Sequence, residues 1–241
     1  MKNVQNQLNE LYREYLKKLL FNQKLKECLM SDHISSPLFI NAETPRAEYL
    51  NADLKIIFIG KENNGWFGLN ERKENGVFDI FNEEQYLNGL LDLYKRFNLG
   101  ANYKSPIINF LDLIVAAFRD QKIKTGILWT NLLRIDCGKE WDLKKKTFEI
   151  DNNEILRNEI EILKPDVVVF VTGPNYDCFI DWTFKDNKGI VIDDKTISEM
   201  CMIEHSELPT KTFRFYHPDY HLRLGSEYRF RLIEEVMKRV L

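Results

Sequence analysis

The sequence predicts an α/β fold: three layers, α/β/α, around a central, mostly parallel four-stranded sheet. Two observations point there. The run at 54–60 is short, apolar and continuous rather than alternating, which marks a strand buried on both faces, and three further short runs, at 126–131, 166–172 and 213–216, read as strands. Segments of helical periodicity separate them, and that alternation makes a parallel sheet with helices on its faces, joined by right-handed crossovers.

The elements follow in chain order. Residues 4–21 put Val4, Leu8, Leu11, Tyr12, Tyr15, Leu16, Leu19 and Leu20 on one helical stripe. A polar stretch with Pro37 and Pro45 reads as an ordered loop over the core. LKIIFIG, ended by Gly60, is the first strand. Residues 83–97 and 106–119 read as helices, the second with Ser105 as N-cap and Pro106 in its first position. GILWTN (126–131) is the second strand. Asp151 and Glu154 resemble a capping box for a helix through Leu163, which Pro165 ends. DVVVFVT (166–172) is the third strand, closed by Gly173-Pro174. Residues 183–210 are mixed and read as short strands or an irregular insertion. FRFY (213–216) is the fourth strand. Ser226 caps a last helix whose inner stripe is Leu232, Ile233, Val236, Met237 and Val240. We expect a single α/β domain over 1–241, with 1–50 an N-terminal helical and loop extension and 183–210 an insertion.

Composition narrows the function. A chain of 241 residues holds one domain, or a domain with an appendage. Its 16 Phe, 10 Tyr and 4 Trp exclude a disordered chain. No apolar stretch reaches the roughly 18–20 residues of a membrane span. The N-terminus lacks the apolar core of a signal peptide, so a cytoplasmic location is expected. Cys28, Cys137, Cys178 and Cys201 are far apart, as in a reduced protein without a disulfide framework. No His, Cys and Asp spacing fits a metal, and the 60–65 loop lacks the lysine of a phosphate-binding loop. No cofactor, metal cluster or membrane partner is expected. The net charge of −3 means that any nucleic-acid binding comes from a local patch. Residues 211–231 form one, with Lys211, Arg214, Arg223, Arg229 and Arg231 against Asp219 and Glu227 and six aromatics interleaved. The alternative there is a buried strand and an amphipathic helix with a solvated basic face. Lys144-Lys145-Lys146 reads as solvated.

In parallel sheets ligands sit beyond the carboxyl ends of the strands. Past the first strand come Lys61, Glu62, Asn63, Asn64, Gly65 and Trp66. The second ends at Thr130 and Asn131, the third runs into Gly173, and the fourth into His217-Pro218-Asp219-Tyr220-His221-Leu222-Arg223. Singly, each is an ordinary turn or loop residue. A carboxylate, an amide, a glycine turn and a histidine at one sheet edge make a candidate site.

The order strand-G-x-E-N, TNLLRIDC, LKPDVVVFVTG and YHPDYHLR resembles the uracil-DNA glycosylase superfamily over about residues 54–240. HPDYHLR and TNLLRIDC are similar to motifs of its iron-sulfur type, and NGVFDI (75–80) to the segment carrying the aromatic that stacks on the base. The resemblance implies a glycosylase-like fold that hydrolyses the N-glycosidic bond of uracil or a related damaged or mispaired base. Single-stranded or mismatched DNA is the expected partner, since base extrusion costs least there.

Carried onto this sequence, Glu62 would activate a water for attack at the sugar C1′. His217 would donate to the charge developing on the base. Asn131 would read the base edge, Phe78 would stack on the base face, and Asn63 and Trp66 would border it. Trp66 is equally suited to a structural role. Leu222 is either a wedge filling the gap left by the base or a core residue, and Arg223 and Arg229 would contact DNA. Three departures stand out. Glu62 replaces the family's Asp or Asn, Asn63 replaces its proline, and the ligating cysteines are missing, so no cluster is expected.

Two alternatives accompany this reading. One is an inactive module that binds a nucleobase, nucleotide or single strand. The other is a hydrolase acting on a small nucleoside or another ligand at the same sheet edge. An enzyme would keep Glu62 near a pocket water and facing His217. A binding module would turn Glu62 away or tie it to an arginine.

Overall fold

Leu54–Gly60 (β1) is buried over its last five residues, and Val167–Phe170 (β3) throughout. Such strands need neighbours on both edges and cover on both faces. Thr125–Asn131 (β2) has the same character, and Lys211–Phe215 (β6) is buried beyond its first residue. In the computed structural model, which describes residues 3–30, 34–44, 48–63, 82–98, 106–138, 141–150, 154–193, 195–218 and 227–241, these four strands are neighbours. β1 and β3 run parallel with Ile57 opposite Val168, and β3 and β6 run parallel with Val168 opposite Thr212.

Among the described residues the sheet has six strands, not the expected four. Lys188–Val191 (β4) and Met200–Glu204 (β5) come from the 183–210 segment and extend the edge in the order β2-β1-β3-β6-β5-β4. Both new pairings are antiparallel, with Met202 opposite Phe213 and Ile190 opposite Met202. β4 carries a lysine and a glycine in four largely exposed residues, so no hydrophobic run announces it.

The helices are Val4–Phe21 (α1), Gln23–Met30 (α2), Glu83–Asn98 (α3), Pro106–Asp120 (α4), Trp141–Ile150 (α5), Glu154–Leu163 (α6), Asp177–Thr183 (α7) and Tyr228–Val240 (α8). α1 starts where the Asn3 side chain accepts from the Gln5 N–H at 2.9 Å, satisfying one orphan donor of the first turn. The expected caps Ser105 and Asp151 lie outside the described residues, and α8 has Glu227 at its N-cap, with no side-chain cap bond, in place of the expected Ser226.

By its internal contacts the chain forms two compact units. The first takes Met1–Ala42, Lys61–Arg96 and Thr130–Leu163, and the second Glu43–Gly60, Phe97–Trp129 and Lys164–Leu241. The second unit holds the sheet, apart from the last two residues of β2. Its core includes Phe58 of β1 edge-on to Phe110 of α4, with α8 packed on α4.

In the first unit α1 packs on α2, α5 and α6. Tyr12 of α1 stacks on Phe39 at 4.3 Å between ring centroids. Its hydroxyl donates to Glu159 Oε1 of α6 at 2.8 Å and accepts from the Ile40 N–H at 3.0 Å. Glu159 in turn pairs with the Arg134 guanidinium, which also donates to Thr130 Oγ1. Arg134 is 3% exposed and Glu159 fully buried, so each charge depends on the other for compensation. Burial pushes the Tyr12 hydroxyl well above the ordinary tyrosine range, and the Glu159 charge adds to it, so Tyr12 stays a donor.

Removing one partner exposes this dependence. Glu159→Ala leaves Arg134 buried without its counter-charge and is expected to cost about 3–5 kcal/mol. Tyr12→Phe strands the Ile40 N–H and one Glu159 oxygen and is expected to cost about 1–3 kcal/mol. Urea denaturation of the two variants beside the wild type measures both; a wild-type midpoint for Glu159→Ala would refute the coupling.

Candidate functional site

The stretches that follow β1 and β2 meet in the first unit. The Leu133 N–H donates to the Lys61 carbonyl at 2.9 Å, tying one to the other. Two residues on from β1, Asn63 is buried and crossed by three hydrogen bonds. Its Nδ2 donates to the carbonyl of Ser36, at 3.0 Å, and to that of Arg134. Its Oδ1 accepts from Asn131 Nδ2 at 2.8 Å. Asn131, the last residue of β2, is 3% exposed and has committed one N–H to this contact. The Arg134 carbonyl also accepts from the Leu38 N–H at 3.0 Å, which holds the 34–40 segment alongside.

Glu62 sits between these contacts with its Oε2 2.6 Å from Lys144 Nζ. The side chains are 22% and 10% exposed, so the pair is largely out of solvent. The expectation that Lys144 is solvated is therefore corrected. Lys144, Thr147 and Phe148 stand three and four residues apart on α5, a spacing that puts them on one helical face, and all three are buried. Thr147 Oγ1 donates to the Lys144 carbonyl at 2.9 Å and lies 3.8 Å from Cys137 Sγ. Burial pushes the Cys137 thiol up to about 11; the charges of Asp136 and Glu62 also raise it, while Thr147 and Lys144 oppose them.

The glycine turn and the histidine belong to the second unit. Gly173 has φ +70° and ψ 170°, a region that side-chain-bearing residues avoid. A Cβ there would stand 3.3 Å from the Tyr216 ring, and the Gly173 N–H donates to the Phe215 carbonyl at 2.9 Å. The glycine so lets the turn after β3 lie against the chain leading into His217. His217 is half-buried, and the Tyr216 carbonyl just before it accepts from the Tyr228 hydroxyl at 3.1 Å.

The basic and aromatic stretch divides. Phe213 and Phe215 are core residues. Arg214 is buried on the Asp177 carboxylate and on the carbonyls of Ile197 and Ser198, at 2.6 and 2.7 Å, so it is a staple inside the second unit and not a phosphate contact. Phe230 of α8 is exposed. Phe78, Trp66, Leu222 and Arg223 lie outside the described residues, and Arg229 falls on α8 with its side chain outside them.

Among the sequence-derived candidates, Glu62, Asn63 and Asn131 thus come together in the first unit. Lys144 and Arg134 join that cluster unannounced. For Lys144 the available signal was its spacing to Thr147 and Phe148, which the adjacent lysines obscured. Among the described residues, no group of three His, Cys, Asp or Glu is placed to hold a metal ion, and no helix is long and apolar enough to cross a membrane. The chain matches no known family model, and no curated protein matches it.

Two outcomes follow from this geometry. Gly173→Ala is expected to cost about 1–3 kcal/mol in a thermal or urea melt, because alanine cannot hold that backbone without strain; an unchanged midpoint would contradict the strained turn. Cys137 is expected to resist iodoacetamide in the native protein at pH 8, read by peptide mass spectrometry. Its raised thiol adds stability that is present below the unfolded value of about 8.5 and is lost as pH rises through about 11. Rapid native labelling of Cys137 would overturn this.

Proposed function

We propose that this protein is a uracil-DNA glycosylase-like enzyme of the cytoplasm, with that family's α/β/α fold, hydrolysing the bond between a uracil-like or damaged base and its deoxyribose. The observation that carries the reading is the convergence of Glu62, Asn63 and Asn131 just past β1 and β2, with the Asn131–Asn63 hydrogen bond linking the two stretches. In this mechanism the extruded base meets Asn131, whose fixed amide selects among base edges because a mismatched edge leaves it unpaired. Glu62, held by Lys144, orients and deprotonates the attacking water, a role worth about 10²- to 10⁴-fold. For His217, which belongs to the second unit, the resemblance gives the role of donor to the leaving base, and a preset donor contributes roughly 3–4 kcal/mol.

The second reading is a binding module for a nucleobase, nucleotide or single strand. The Glu62–Lys144 ion pair favours it, since a tied carboxylate was the mark expected of a site without chemistry, with lysine here in the place of arginine. The inward hydrogen bond of Asn131 also fits it.

Oligonucleotides carrying uracil, hypoxanthine or a mispair, single- and double-stranded, separate the two. Alkali reveals abasic sites. Under the enzyme reading wild type cleaves, and Glu62→Gln and His217→Ala each lose roughly two orders of magnitude or more. Cleavage indifferent to Glu62→Gln removes Glu62 from its role. Absence of cleavage across the panel, together with salt-dependent oligonucleotide binding that weakens in Asn131→Ala, establishes the binding module instead.

A further inference from the structure

Hydrolysis needs a carboxylate at Glu62 but no amine beside it. The primary amine of Lys144 nevertheless stands 2.6 Å from Glu62 Oε2, on a helix face where its two neighbouring lysines do not follow it into burial. An amine and a carboxylate in contact are the parts that imine formation with an aldehyde requires: one is the nucleophile and the other moves its protons. Base excision leaves an abasic deoxyribose whose open form carries an aldehyde at C1′.

We propose that Lys144 and Glu62 form an imine with the aldehyde of an abasic site in DNA, giving the protein a strand-cleaving activity beyond base removal. This rests on reading the Glu62 cluster as a site that handles a deoxyribose C1′. The Glu62 carboxylate takes one proton from the Lys144 ammonium. The freed nitrogen lone pair bonds to C1′, and the carbonyl π pair moves to oxygen. That oxygen collects two protons, one returned from Glu62 and one from the nitrogen, and leaves as water. Ammonium and aldehyde thus become a protonated imine and one water, with charge conserved. Glu62, again a carboxylate, then removes a C2′ proton. The electron pair forms the C2′–C3′ double bond as the C3′–O bond breaks and the 3′ phosphate departs. The Glu62 side chain is 22% exposed and that of Lys144 10%.

The test uses the full chain and a single-stranded oligonucleotide with one preformed abasic site, so it does not depend on which base is excised. Sodium borohydride reduces a protonated imine to a stable amine, which denaturing gels and peptide mass spectrometry detect. The expected result is a covalent complex mapping to Lys144. Lys144→Arg keeps the cation opposite Glu62 but cannot form an imine, so trapping falls to background. Lys145→Arg and Lys146→Arg trap as wild type. A merely structural ion pair would be rescued by arginine. The proposal is overturned if wild type gives no complex, if the adduct maps to another amine, or if Lys144→Arg traps like wild type. Mapping the adduct in the wild type decides the matter even if a variant folds poorly. Excision on the uracil panel is scored separately. Excision without trapping keeps the proposed function and rejects the lysine; trapping without excision does the reverse.

Discussion

A guanidinium cannot be left bare inside a protein, and the first unit is arranged around that constraint. Arg134 is buried, so Glu159 must face it, and Tyr12 must donate to Glu159. Those three residues fix α1, α6 and the stretch after β2 against one another. The backbone of the same arginine then does separate work. Its carbonyl accepts from both Leu38 and Asn63, which sets the 34–40 segment and the residue after Glu62. Buried ion pairs contribute little net stability compared with apolar packing, but they penalise every arrangement that separates the partners. Here the penalised arrangements include those that would move Asn63 and Asn131 apart.

This makes the candidate site a product of a polar network rather than of apolar packing. Asn63 is the hub. It gives its N–H groups to two backbone carbonyls and takes one from Asn131, so its side-chain hydrogen bonds hold the cluster. Glu62 is oriented from the other side by Lys144. A carboxylate that is one methylene longer than aspartate reaches further, and a cation at its tip restrains that reach.

How much of this was legible depended on whether burial wrote itself into hydrophobicity. β1, β2 and β3 did, because the central residues of strands covered on both faces are apolar, whereas β6 has Arg214 between Phe213 and Phe215. β4 did not, since Lys188 and Gly189 give it neither a run nor an alternation, and its place is decided by β5 and β6. α5 was hidden for the same reason: three consecutive lysines suppress the apolar signal, although one of them is buried. Glu62, Asn63 and Asn131 were legible as strand-end residues because topology alone brings such positions together. Lys144, Arg134 and Glu159 were not. A charged residue announces burial only through its partner, and those partners are 25 or more residues away in the chain. Arg214 misled in the opposite direction, since its charge suggested a surface and its partners Asp177 and Ser198 place it inside.

The division into two units has a consequence for how the chain comes off the ribosome. The path passes from one unit to the other five times, and each unit is assembled from three separated lengths of chain. The first cannot close until residue 163 has emerged, because α6 brings the Glu159 that Arg134 requires. The second waits for β6 and α8. Such long-range closure delays folding until α8 has been made and leaves apolar strands such as β1 uncovered meanwhile. No single cut point separates the units into two independent fragments, so a nascent chain stalled before α6 has neither of them.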